Sequence, residues 1–288
     1  MHDNLLMSQA SLLMDPYIYN IPAALANAYQ GKRVIVRSHD PYELAAILAE
    51  TNPENLYYLQ LLSLEADIGP LLMEGAFAPL DLVMSSPASD YPQLYDLAPL
   101  NAKYPVRVTM PVMPGFTKAV RLACSLNFAV KLAVTQPDPD LLQEMSEVLA
   151  YYLHHSTVSQ PIEFFHSLLM AFVEEAPLNL WTIQEEDPAL FRYIADQGEE
   201  TIFPRLAAAG VEQKLPFFLE TFIMKLLVEE GECSTCKFIN TCYGYFKWPR
   251  KDYACEGVKA LLKTVKKAAH DLRQDIAAYH KPSGEDRP

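Results

Sequence analysis

Short apolar runs alternate with helical stretches from about residue 31 onward, and this alternation constrains the fold more than any other feature. The runs are "RVIVRS" (33–38), "LYYLQLLSL" (56–64), "LDLVMSS" (80–86), "VRVTMPV" (106–112) and "FAVKLAVTQ" (128–136). "PIEFF" (161–165) and "LNLWTI" (178–183) follow. Most are rich in β-branched or aromatic residues and bounded by Pro, Asp or Asn, as strands are. The clearest helix between them is "DPDLLQEMSEVLAYYLHH" (138–155), where Leu141, Leu142, Met145, Val148 and Leu149 form one stripe and Pro139 suits a first turn. Strands read as continuously apolar and separated by helices predict an α/β fold with a parallel sheet and crossover helices. Six or seven such units fit a partial or complete (β/α) barrel, with a doubly wound open sheet as the competitor. Glycine is scarce, at 10 residues, and no G-x-G-x-x-G follows a strand, so a dinucleotide site has little support.

The reading divides the chain into an N-terminal helical segment (1–30), a barrel region (31–200) and a C-terminal region (201–288). In the last, "LPFFLETFIMKLLVEEG" (215–231) predicts an apolar helix ended by Gly231. A final helix follows Cys255, with Val258, Leu261, Leu262, Val265, Leu272 and Ile276 at helical spacing. The basic character of residues 247–281, nine Lys/Arg against four Asp/Glu, is that of a solvated face, or of a docking surface for an acidic partner or the protein's own acidic body.

With 288 residues, half of them apolar and 20% charged, the composition is globular. The formal charge of −13 argues against a nucleic-acid binder, because phosphate contacts need a positive face. The first residues have no basic segment of the signal-peptide kind, and no run approaches the roughly 18–20 apolar residues that span a bilayer. The expected setting is the cytoplasm, with no nucleic-acid or membrane partner.

Four of the five cysteines fall in "GECSTCKFINTCYGYFKWPRKDYAC" (231–255), ordered C-x2-C-x5-C-x12-C: Cys233, Cys236, Cys242 and Cys255. Cytosolic thiols stay reduced, so a metal site is expected there rather than disulfides. Four thiolates suit either Zn2+ or a [4Fe–4S] cluster. The apolar and aromatic surroundings (Phe238, Ile239, Tyr243, Tyr245, Phe246, Trp248, Tyr253) lower solvent access, which suits a redox cluster more than a plain clip, and chemistry alone leaves both open.

This pattern resembles the C-terminal part of the SPASM domain of radical SAM enzymes that modify peptides and proteins. The resemblance implies one auxiliary [4Fe–4S] cluster on Cys233, Cys236, Cys242 and Cys255, and a radical SAM-like partial (β/α) barrel before it. A second auxiliary cluster is not implied, since Phe246 stands where its cysteine would be and its upstream cysteines are missing. The family's C-x3-C-x2-C triad, expected after the first strand, is also missing: the stretch reads "VIVRSHDPYELAAILAE". The glycine-rich segment that holds S-adenosylmethionine is replaced by "LSLEADIGP". The expectation is therefore a protein that binds and cleaves no S-adenosylmethionine and serves a radical SAM enzyme, its peptide substrate, or both. Cys124, on a predicted helix, is expected to be a small core residue.

Two other readings stand beside it: a structural four-cysteine zinc module, and a barrel enzyme of unrelated chemistry. For the latter, the predicted carboxyl strand ends supply His39, Asp40, Glu65, Ser85, Ser86, Gln136, His166, Gln184, Glu185, Glu186 and Asp187. His154 and His155 fall near a helix C-terminus, where imidazolium complements the dipole.

Overall fold

The computed structural model describes residues 15–75, 77–201, 203–207 and 217–279. It is a mixed α/β protein built on a nine-stranded, mostly parallel sheet of order β7-β6-β5-β4-β3-β2-β1-β8-β9. The strands are β1 (Ile18–Pro22), β2 (Arg33–Ser38), β3 (Leu56–Leu61), β4 (Leu80–Val83) and β5 (Val106–Pro111). They continue as β6 (Ala129–Ala133), β7 (Ile162–Glu163), β8 (Phe191–Ile194) and β9 (Glu200–Thr201). Every ladder is parallel except β8 with β9.

The main helices are α1 (Pro41–Glu50), α2 (Phe116–Ser125), α3 (Pro139–His154), α4 (Phe165–Glu174), α5 (Phe218–Val228) and α6 (Glu256–Tyr279). Local chemistry explains their starts. The Asp40 side chain accepts from Tyr42 N ahead of α1, and Asp138 accepts from Leu141 N at 2.9 Å ahead of α3. A proline occupies the first turn of both.

Several expectations are corrected. The sheet begins before residue 31: Ile18–Pro22, assigned above to a helical segment, is a strand lying between β2 and β8. Its Ile-Tyr-Asn-Ile-Pro sequence holds two isoleucines and a tyrosine that suit a strand, while residues 1–14 of that segment lie outside the described residues. The run 178–183 is not a strand. Leu180–Ile183 is a helical turn, because the Asn179 side chain accepts from Thr182 N at 3.0 Å and starts it. Two strands, β8 and β9, were not foreseen. Helix α5 stops at Val228 rather than at Gly231, since Glu230 already takes a left-handed φ of 51°; residues 215 and 216 lie outside the description. On α6 the buried stripe ends at Ala269, and Ile276 is exposed.

The strands also differ from the continuous apolar runs expected. Their side chains alternate. Val34, Val36, Leu59, Leu61, Leu80, Leu82, Val108, Val130 and Leu132 face one side and join the helices in the main core. The neighbouring positions Arg37, Gln60, Asp81 and Arg107 are aligned across β2 to β5, and Thr109, Lys131 and Glu163 across β5 to β7. That second face is polar, apart from a small cluster of Ile18, Ile35, Tyr58 and Phe191.

Core residues of the C-terminal region (Tyr245, Phe246, Val258, Leu261, Val265) belong to the same hydrophobic cluster as the strands. Cys124 is buried in it on α2, as expected. Among the described residues no helix is long and apolar enough to cross a membrane.

Candidate metal centre

The thiol region starts where α5 ends. In the first knuckle Cys236 N donates to Cys233 O at 3.2 Å, which turns the chain so that both thiols lie on one side. A helical turn, Ile239–Cys242, follows and carries the third thiol. Tyr243 and Gly244 then reverse the chain with φ of 49° and 75°. A Cβ on Gly244 would stand 2.8 Å from Leu226 Cδ1, so glycine is required for both the conformation and the close approach to α5. Cys255 stands immediately before α6, where its carbonyl accepts from Lys259 N at 2.8 Å.

All four cysteines line one small cavity of about 20 Å³, walled by Phe238, Phe246, Val258 and Leu262. None is in a disulfide; Cys233 and Cys255 are buried, and Cys236 and Cys242 are half-buried. Burial pushes the Cys242 thiol up to about 11 and that of Cys255 to about 12, and it raises Cys233 too. Neighbouring thiolates work in the same direction at all three, whereas Lys247 opposes it at Cys233 and Cys255.

Two lysines and one glutamate border the cavity. Lys247 is buried, donates to Tyr253 O at 2.6 Å and pairs with Glu232, which also pairs with Lys259 at 2.6 Å. Two ammonium groups against one carboxylate leave a local positive charge, the right sign to offset thiolates.

The fit to a metal is one of donor chemistry. Four unpaired thiols on one apolar cavity are the donor set that Zn2+ and iron–sulfur clusters take. Among the described residues no group of three or more His, Cys, Asp or Glu is gathered so as to hold a metal ion as it stands. The cavity has room for about one water molecule, so a four-iron cube enters only if the thiol-bearing turns part.

A row of hydrogen bonds fastens this region to the segment after β6. Tyr245 Oη donates to Val134 O at 2.7 Å, Tyr253 Oη to Pro137 O at 2.6 Å, and Gln136 Nε2 to both Phe246 O and Arg250 O at 2.8 Å. Trp181 Nε1 donates to Tyr243 O at 2.9 Å, and Arg205 to Tyr245 O and Trp248 O. The four-thiol cavity therefore belongs to the carboxyl end of β6.

Most of the other rim residues have partners within the fold. Asp40 caps α1, Asp90 receives the backbone N–H groups of Ser85 and Ser86, and exposed Glu65 accepts from Gln93. His39 is exposed, and His166 shares a hydrogen bond with Tyr152 on α3. His155 lies beside Thr157, one residue past α3, and His154 ends that helix. Gln184 caps the free edge of β6, accepting from Val134 N and donating to Leu132 O. Glu186 pairs with Arg205, and Asp187 receives Thr182 Oγ1.

Glu185 belongs to a buried network on the polar face that sequence reasoning missed. It pairs with Arg107 at 2.9 Å and Lys131 at 2.5 Å and accepts from Tyr58; Arg107 also pairs with Asp81 at 2.9 Å. The signal was present: Asp81, Arg107 and Lys131 interrupt three successive apolar strands with a charge each.

Comparison of the chain with protein-family models, with curated proteins and with solved structures finds no match.

Proposed function

We propose that the chain is a SPASM-like iron–sulfur protein. In this reading Cys233, Cys236, Cys242 and Cys255 hold one [4Fe–4S] cluster, and the protein serves a radical SAM maturase of peptides or proteins by relaying electrons or presenting substrate. The observation that carries it is the lining of one apolar cavity by four unpaired thiols at the family's spacing.

The sheet lends support. Its order from β7 down to β1, with β8 returning to the free side of β1, is the cyclic order of an eight-stranded (β/α) barrel opened between β7 and β8. The thiol region is tied to the carboxyl end of β6, the end at which barrels carry their chemistry. Because β1 precedes β2, the family's triad and its glycine-rich segment would follow β1 and β2. Those stretches are Ala23–Tyr29 and the Ser38–Glu43 segment, and neither holds a cysteine or a glycine. Cys124 is the first cysteine of the chain, so the reading includes no cleavage of S-adenosylmethionine.

When bound, such a group supplies one-electron transfer. The chain's own residues contribute the four thiolates, the apolar wall that excludes water, and the positive charge of Lys247 and Lys259.

Anaerobic isolation with metal and sulfide analysis tests the reading. The expected product is brown, contains iron and sulfide in equal amounts, loses both in Cys233→Ala and keeps both in Cys124→Ala. A colourless protein with one zinc per chain on the same thiols makes the region a structural clip instead. A stable protein that takes up neither metal refutes both.

A further inference from the structure

The polar face opens into a cavity of about 490 Å³ at the amino end of the strands, lined by the first residues of β1, β2, β6 and β8. It lies at the opposite end of β6 from the four thiols, and its size is that of small-molecule sites.

Three groups on its wall are not used up by the fold. Lys131 Nζ is buried and makes one ion pair, with Glu185, which leaves two of its three donors unused among the described residues. Arg33, at the exposed start of β2, has no acidic partner among the described residues and stands 6.0 Å from the Tyr57 ring centroid. Glu163, in register with Lys131 across the β6–β7 ladder, accepts from Ser167 through Oε2. Its second oxygen has no donor among the described residues. Ile183, Leu190 and Phe191 supply apolar wall beside these charges. A buried ammonium with spare donors is costly unless an acceptor completes it.

We infer that this cavity binds a small zwitterion, a free α-amino acid with an apolar side chain. Lys131 and Arg33 offer cations to the carboxylate, Glu163 takes the ammonium group, and Ile183, Leu190 and Phe191 face the side chain. Charges of both signs on the wall of one cavity favour a ligand carrying both. A simple anion would meet Glu163, and a simple cation would meet Arg33 and Lys131. The inference is independent of the metal centre.

Titration calorimetry on the full chain tests it, with L-leucine and L-phenylalanine as probes. Isovalerate, which lacks the amine, and isoamylamine, which lacks the carboxylate, are the controls. At least one amino acid should bind, and both single-headed analogues should bind about tenfold or more weakly. Arg33→Ala and Glu163→Gln, both at the cavity wall and outside the buried network, should each weaken the amino acid by about tenfold. The inference is overturned if neither amino acid binds at about 10 mM. It is overturned equally if isovalerate matches leucine, or if both variants bind as the parent does.

Discussion

Replacing Glu185 with alanine is expected to cost about 3–5 kcal/mol of folding stability, because it strips the anion from a buried network without removing the cations. Glu185 faces Lys131 at 2.5 Å, Arg107 at 2.9 Å and the Tyr58 hydroxyl. In its absence Arg107 keeps Asp81, but Lys131 loses the one carboxylate it pairs with and stays a buried ammonium. Burial by itself would raise the Glu185 carboxyl, yet Lys131 and Arg107 outweigh it and hold the group at about 2, against an ordinary 4.5. A carboxyl with a depressed folded pKa contributes stability that is fully present above its unfolded value. That contribution is lost as pH falls from about 4.5 toward about 2. Denaturant unfolding at a series of pH values checks both points. The midpoint of Glu185→Ala should lie well below that of the parent at neutral pH, and the gap should narrow through this acid window. Equal midpoints at neutral pH would mean that the network adds nothing.

The second large effect is expected at Trp181. Its side chain is fully buried, with its ring edge-on to Tyr245 at 4.9 Å and to Phe218 at 6.3 Å. Its indole N–H holds the Tyr243 carbonyl at the reversal between the third and fourth thiols. One residue thus joins the sheet side of the molecule to α5 and to the thiol region. Trp181→Ala should cost about 3–5 kcal/mol through lost burial and the cavity it leaves. It should also release the thiol region first. Limited proteolysis, read by mass, should cut between residues 229 and 254 in the variant under conditions where the parent stays whole. A variant that loses stability without that local cleavage would show Trp181 to be ordinary core.

Much of the sheet was legible because charged or helical stretches punctuate its runs, and because Asp138 with Pro139 announces a helix start unambiguously. What was missed has physical causes. Strand β1 lies ahead of the regular alternation, and its strand-forming residues stand beside Asn20 and Pro22, which weaken the signal. In 178–183 one side chain, Asn179, decides for a helical turn in a sequence of high strand propensity. The polar face was overlooked because single charges inside apolar runs read as interruptions, whereas their period of two places them on one side.

At the centre, the spacing of the thiols was legible, and the four line one cavity. The attachment to β6 was not, because Gln136, Tyr245 and Tyr253 meet across more than 100 residues and the carbonyls they use have no sequence signature. Of the proposed rim, Glu185 is central to a buried ion-pair network, and Gln184 bonds to the edge of β6.

The most direct test of the central claim is the native mass of the anaerobically purified chain. The account predicts a single added group with the mass of four irons and four sulfides, absent when Cys255 is alanine and present when Cys124 is. A parent protein at its bare polypeptide mass, or carrying one zinc, would contradict it.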